Sequence, residues 1–401
     1  MNSVVRQMWE QNTDVVMVDT GNSYEGLCEY VGGKYISYTD EHPITMNPFA
    51  IKREELNIEK IGFLKNLVML IWKGTQGEVS KTEDRLIEQV ITEYFDEYFM
   101  KKQIENLSFN TFYEYSTVRI PQIIKENNLA GIDLASYNYL LKDFYKGGSH
   151  ELTLNENLDT KLFDETFIVF EIDSIKDDPL LFPLVTLIIM DVFIQKMRIK
   201  KNRKVLVIEE AWKAIASPMM AEYIKYLYKT ARKFWASVGV VTQEIQDIVG
   251  SPIVKEAIIN NSDVVMLLDQ SKFRERFDEI KAILGLTDVD CKKIFTINRL
   301  ENKEGRSFFR EVFIRRGSVG GVFGVEEPHE CYMTYTTERA EKEALKLYKK
   351  ELQCDHQHAI EAYCRDWELS GITKSLPFAQ KVNQTGHVLN IKPKRKFDEY
   401  M

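Results

Sequence analysis

Four short runs of β-forming residues do most to limit how this chain can fold. They are VVMVD (15–19), FIVFEI (167–172), KVLVI (204–208) and SVGVVT (237–242). Strands apolar along their whole length belong to sheets covered on both faces. Helical stretches separate the later runs: an apolar one around 180–198 and a long one over 219–235. Strands alternating with helices imply a parallel sheet with right-handed crossovers. In an open sheet of this kind, ligands bind outside the carboxyl ends of the strands.

The rest of the chain fits around that plan. A helix is expected over 3–11, a strand over 34–38 and a proline-marked turn over 43–50. From 54 to about 155 the pattern is helical, with apolar residues at helical spacing over 58–73 and 82–100 and more weakly over 136–144. A further strand is expected at 263–268 in the same parallel sheet, and late strands at 308–315 and 331–336. Helices follow from 337 to about 370, and the end, KPKRKFDEYM, reads as a loose tail.

Composition narrows the class. The 401 residues are 44% hydrophobic and 28% charged, which is ordinary globular usage and excludes a disordered or collagenous chain. The net charge of −8 argues against a broad non-specific nucleic-acid surface, though not against a local one. Five widely spaced cysteines, with no CxxC pair, fit a reducing cytoplasm better than a disulfide framework. The start of the chain lacks a basic region followed by a long apolar core, so no signal peptide is expected. The most membrane-like segment, residues 179–197, carries Pro183, Asp191 and Gln195 between two strands; it is expected to be a buried helix.

The segment richest in chemistry is KVLVIEEAW (204–212). It delivers two adjacent carboxylates, Glu209 and Glu210, to the carboxyl end of a strand. That pair suits nucleoside triphosphate hydrolysis, with one acid on Mg²⁺ through its waters and the other polarising the attacking water. This is the Walker B arrangement; a strand running into a solvated loop has the same local pattern. The next strand ends at Gln243, placed to sense a γ-phosphate or orient water.

With these residues in view, the chain resembles the ATPases of conjugative type IV secretion, specifically the TraG-like family of conjugative transposons. The resemblance rests on VVMVDTGNSYEGLCEYVGGKYI (15–36), ITMNPF (44–49), KVLVIEEAW (204–212), KTARKFWASVGVVTQ (229–243) and NNSDVVMLLDQ (260–270). It implies a RecA-like α/β P-loop NTPase core with an inserted helical lobe and a helical C-terminal tail. The core would occupy 1–53 and 161–336, the lobe 54–160 and the tail 337–401. It also implies ATP and Mg²⁺ as cofactors, a hexameric ring, and channel components at the cytoplasmic face of the inner membrane as partners. Residue by residue, Glu209 falls on the metal-associated acid, where Asp is commoner, Glu210 on the catalytic carboxylate and Gln243 on the sensor. Arg232 matches an arginine near the subunit boundary that would act in trans. With Lys225, Lys229 and Lys233 it forms one basic cluster, which solvated or DNA-facing charge strongly explains too, and Arg306 and Arg310 are rivals. Asp19 lies near the nucleotide position and equally suits a turn cap. The alternatives are a DNA-translocating coupling protein of the same superfamily and a non-catalytic assembly subunit.

One departure bears on all of this: no G-x-x-x-x-G-K-[ST] occurs in the 401 residues. GGKY (32–35) lacks the first glycine and the Ser/Thr, so it provides neither phosphate cradle nor Mg²⁺ ligand. The expectation is a chain that starts a turn or two after the phosphate loop, as the C-terminal piece of a longer protein. Cys354, His356, His358 and Cys364 match no usual zinc spacing and are expected on a polar helix. The basic KPKRK segment is expected to be a solvated tail rather than a phosphate or lipid contact.

Overall fold

The computed structural model describes residues 1–39, 41–75, 77–102, 106–157, 160–210, 218–242, 258–299 and 309–389. These form two compact units, one of residues 12–21 and 35–261, the other of 1–11, 22–34 and 262–401.

The first unit is built on a five-stranded sheet in the order β2-β3-β1-β4-β5. The strands are β1 (Thr13–Asp19), β2 (Lys34–Ser37), β3 (Phe167–Glu171), β4 (Arg203–Ile208) and β5 (Ala236–Val240). β1 pairs in parallel with β3 and β4, and β4 with β5. Every residue of β1 and β3 is buried, as the unbroken apolar runs require of a doubly covered parallel sheet.

The helix Leu181–Ile199 is buried along most of its length. Pro183 sits in its first turn, where no intrahelical N–H bond is lost. The segment that looked most like a membrane span is thus a core helix, and no described helix is long and apolar enough to cross a membrane. Asp191 is accommodated by an ion pair with Lys60, 2.7 Å away and equally buried. Helices Ile58–Lys73, Lys81–Phe95 and Phe109–Asn127 share one apolar core with the sheet.

The helix Phe109–Asn127 has no counterpart in the sequence reading, because Ser116 interrupts its apolar face and the exposed Pro121 stands inside it. Helix Lys81–Phe95 opens on a capping box in which Ser80 Oγ accepts from Glu83 N at 3.2 Å and Glu83 Oε2 accepts from Ser80 N at 3.0 Å. Burial alone would raise the Glu83 carboxyl, but hydrogen bonds from Lys73 and Ser80 outweigh it and hold the pKa below the usual range. Its stabilising contribution is therefore full above about pH 4.3, the ordinary value for Glu, and is lost as pH falls through the folded value. Ser80→Ala should cost about 1 kcal/mol in urea unfolding, and Glu83→Gln should flatten the acid limb of the stability profile; a wild-type limb in the variant counts against the assignment.

The second unit contains a three-stranded sheet, β6 (Val264–Leu267), β7 (Phe309–Arg316) and β8 (Val319–Glu326), antiparallel throughout. The strand expected at 263–268 exists, but it pairs with β7 rather than joining the parallel sheet. A β-branched run does not by itself specify a partner, and the β7–β8 hairpin provides one. Gly317, with φ +58°, makes the two-residue turn of that hairpin.

The strand expected at 331–336 is instead part of the helix His329–Tyr335. Pro328 precedes it at the N-cap, and Met333 anchors it in a separate apolar cluster, so tertiary packing overrides the β preference of Tyr-Met-Thr-Tyr. That cluster is completed by the helices Arg339–Leu352, His356–Ser370 and Ser375–Thr385 around Tyr348, Tyr363, Trp367 and Phe378.

Candidate active site

The parallel register brings acidic residues together at the carboxyl edge of the first unit's sheet. Asp19 ends β1 directly opposite Glu171, which ends β3. On the other side of β1, Val18 lies opposite Ile208, and the amide of Glu209 donates to Val18 O at 3.0 Å. Glu209 and Glu210 therefore leave β4 at the level where β1 delivers Asp19.

Each carboxylate is held differently. Asp19 is fully buried, and its Oδ1 accepts from the amide of Gly21 at 3.2 Å, a turn-capping contact. Glu171 is also buried; it accepts from Asp173 N at 2.9 Å and from Tyr35 Oη at 3.3 Å. Glu209 and Glu210 are half-buried. Glu210 has φ +48°, the left-handed region that a side chain enters at a cost of roughly 1 kcal/mol. Such a backbone re-aims the second carboxylate away from the strand direction of the first, and strain of this kind concentrates at functional positions.

The donor chemistry fits a magnesium ion held by one carboxylate and water. Among the described residues, no group of three or more His, Cys, Asp or Glu is arranged as an all-protein metal cage. Among the described residues, GGKY does not form a phosphate cradle. GGKY serves the backbone instead: Gly32 turns with φ +67° and Gly33 N caps Cys28 O at 2.8 Å, ending the helix Glu25–Tyr30.

The remaining sequence candidates separate. Arg232 is exposed and follows helix Pro218–Ala231, just ahead of β5. Lys204 N donates to Trp235 O at 3.1 Å, so this is the amino edge of the sheet, the length of β4 away from the carboxylates, roughly 20 Å. Arg232 does not join the acids of its own chain. Arg310 lies on β7 in the second unit and donates to Phe309 O at 2.8 Å. Gln243 and Arg306 fall outside the described residues, as does KPKRK.

The Cys and His residues near 360 do not converge. His358 Nδ1 meets Asp355 at 2.7 Å, His356 faces Glu29 at 3.3 Å, and Cys364 is buried, its thiol pushed above the usual range by that burial. Glu171 is the residue the sequence reading passed over. Its signal was the acid at the end of FIVFE, the same placement that drew attention to Asp19.

A parallel sheet flanked by helices, with acids gathered at its carboxyl edge, defines the class of open α/β folds whose ligands bind at that edge. Comparison with known proteins narrows the class. The sequence model of the TraG P-loop domain matches residues 1–367, and the chain belongs to that family. Protein TraC of Escherichia coli (strain K12) is 22% identical over 295 residues; the match covers 69% of this chain and 31% of TraC, so the chain spans under a third of that relative. The fold is that of VirB4 of Thermoanaerobacter pseudethanolicus, with a TM-score of 0.59 at 18% identity over 82% of this chain and 85% of that one. It is also similar to the bacterial conjugative coupling protein TrwB in complex with sulphate, with a TM-score of 0.52 at 12% identity over 82% and 80% of the two chains.

Proposed function

We propose that this chain is motor-domain machinery of a conjugation ATPase of type IV secretion. The intact protein would couple ATP hydrolysis to channel assembly or substrate transfer. The observation that carries this reading is the exit of Glu209 and Glu210 from β4 beside Asp19, in a chain whose family match runs through residue 367. Mg²⁺ would supply charge neutralisation on the phosphates when bound. Glu209 is the acid assigned to its water shell, with Asp19 beside it. Glu210 orients and polarises the attacking water. Gln243, after β5, is assigned to γ-phosphate sensing. Arg232, from the opposite edge of the sheet, serves a neighbouring subunit in a hexameric ring, where it neutralises transition-state charge. We assign residues 54–160 as the inserted lobe of the RecA-like fold, and the ring to the cytoplasmic face of the inner membrane beside channel components.

Backbone amides of a glycine-rich loop and its lysine are what hold β- and γ-phosphates, and the 401 residues contain no such motif. The isolated chain should therefore bind ATP weakly and turn it over negligibly. Fusing a strand and phosphate loop ahead of Met1 should establish MgATP hydrolysis, read as phosphate release. Robust hydrolysis by the isolated chain, or none by the fusion despite nucleotide binding, would overturn the assignment.

A further inference from the structure

We propose that a groove in the second unit, between the segment Ser271–Arg276 and the helix Asp288–Ile294, binds nucleoside phosphates. Nothing in this inference rests on the carboxylate site. The groove measures about 820 Å³, and Arg274, Lys292, Arg299, Phe295, Thr296 and Asp288 line it. That is room for one or two nucleotides.

Its charge is unusual for a chain with an acid excess. Among the described residues, Arg274, Lys292 and Arg299 have no ion-pair partner, and Arg299 donates instead to Ser271 Oγ at 3.1 Å. Among the same residues Asp288 is the one acid lining the groove, and Lys281 already pairs with it at 2.5 Å. Among the described residues, the groove thus presents three cations against one acid, and that acid is held by Lys281 with Lys292 one helical turn away.

Beside Lys292 and Arg299 lies an arginine–aromatic pair against which a base can stack. The Arg274 guanidinium sits over the Phe295 ring, 5.0 Å from its centroid, and Phe277 braces that ring edge-on at 4.8 Å. Cations for phosphates next to an aromatic face for a base is the composition that recognises nucleotides without reading their sequence. An acidic peptide would use the charges and leave the ring idle, so the pairing favours a nucleoside phosphate. The same chemistry is presented by a free nucleotide and by a unit of a single strand.

The test uses the 401-residue chain and two probes: a fluorescent single-stranded oligonucleotide of about a dozen nucleotides, and fluorescent ADP. The triple variant Arg274→Glu, Lys292→Glu, Arg299→Glu changes exposed positions only, with folding checked by circular dichroism. It should bind about tenfold more weakly or worse. Its salt dependence for the oligonucleotide should fall by about two in log–log slope. Arg85→Glu, an exposed cation in the first unit, should bind as wild type. Phe295→Leu should weaken both nucleoside probes but not displacement by inorganic triphosphate. Loss in the oligonucleotide arm identifies a single strand as the source of the ligand, and loss in the ADP arm a free nucleotide. Failure of the wild type to bind either probe, equal binding by the triple variant, or displacement by poly-glutamate as effective as by nucleotide overturns the proposal.

Discussion

Asp191→Ala should destabilise the protein by about 3–5 kcal/mol, because it strands a buried cation. Lys60 Nζ lies 2.7 Å from Asp191 Oδ2, and the two side chains are only 7% and 5% exposed. Gln195 donates to the same oxygen at 2.7 Å, and the Lys60 ammonium also sits 4.5 Å from the centre of the Phe63 ring. Without the carboxylate, Lys60 keeps an aromatic face but no counter-charge. The pair as a unit is a different matter, since desolvation consumes much of what its attraction returns. Lys60→Met with Asp191→Leu should therefore recover most of the loss. Urea unfolding of Lys60→Met, Asp191→Leu and the double variant gives the coupling directly. A loss below about 1 kcal/mol in Asp191→Ala would mean that the ammonium finds water, and that the ion pair is not what allows an acid inside this helix.

The second large effect is expected at Glu210. In a protein that carries a phosphate loop, Glu210→Gln should lower turnover by roughly 10²–10⁴-fold while sparing nucleotide binding, the range for loss of a group that activates water. Glu210→Gly separates chemistry from backbone. Glycine adopts φ +48° without the steric cost borne by a side chain, so the variant should be more stable than wild type by roughly 1 kcal/mol and equally inactive. That gain is measurable by thermal or urea unfolding of the present chain. Near-normal turnover in the Gln variant would remove Glu210 from the chemistry. A destabilised Gly variant would mean that the side chain holds the turn.

Much of this site was legible because parallel strands announce themselves. VVMVD, FIVFE and KVLVI are apolar throughout, so both strand and buried sheet follow from the residues, and the acids that end them mark the carboxyl edge. What periodicity does not carry is partnership. DVVMLL reads the same whether its neighbour runs with it or against it, and only the β7–β8 hairpin decides. Nor does it carry tertiary override, which turned residues 331–335 into a helix once Met333 had a core to enter. The helix Phe109–Asn127 was hidden by Ser116 on its apolar face, where the hydroxyl donates to Tyr113 O and accepts from Tyr137 Oη, both at 3.0 Å. Glu171 was overlooked because a lone acid at a strand end is common; register opposite Asp19 is what gives it meaning.

The way the chain divides has a consequence for its biosynthesis. The helices Asn2–Glu10 and Glu25–Tyr30 belong with residues made some three hundred positions later: Arg6 donates to Cys331 Sγ at 3.0 Å, Lys342 to Asn22 O at 3.2 Å, and Lys349 pairs with Glu29. At roughly 5–20 residues per second, a ribosome takes about 15–60 s to supply those partners. In that interval the sheet unit can close around β1 while the segments flanking this strand stay without their own unit. Residues 1–11 and 22–34 thus leave the ribosome well before the unit they join can close.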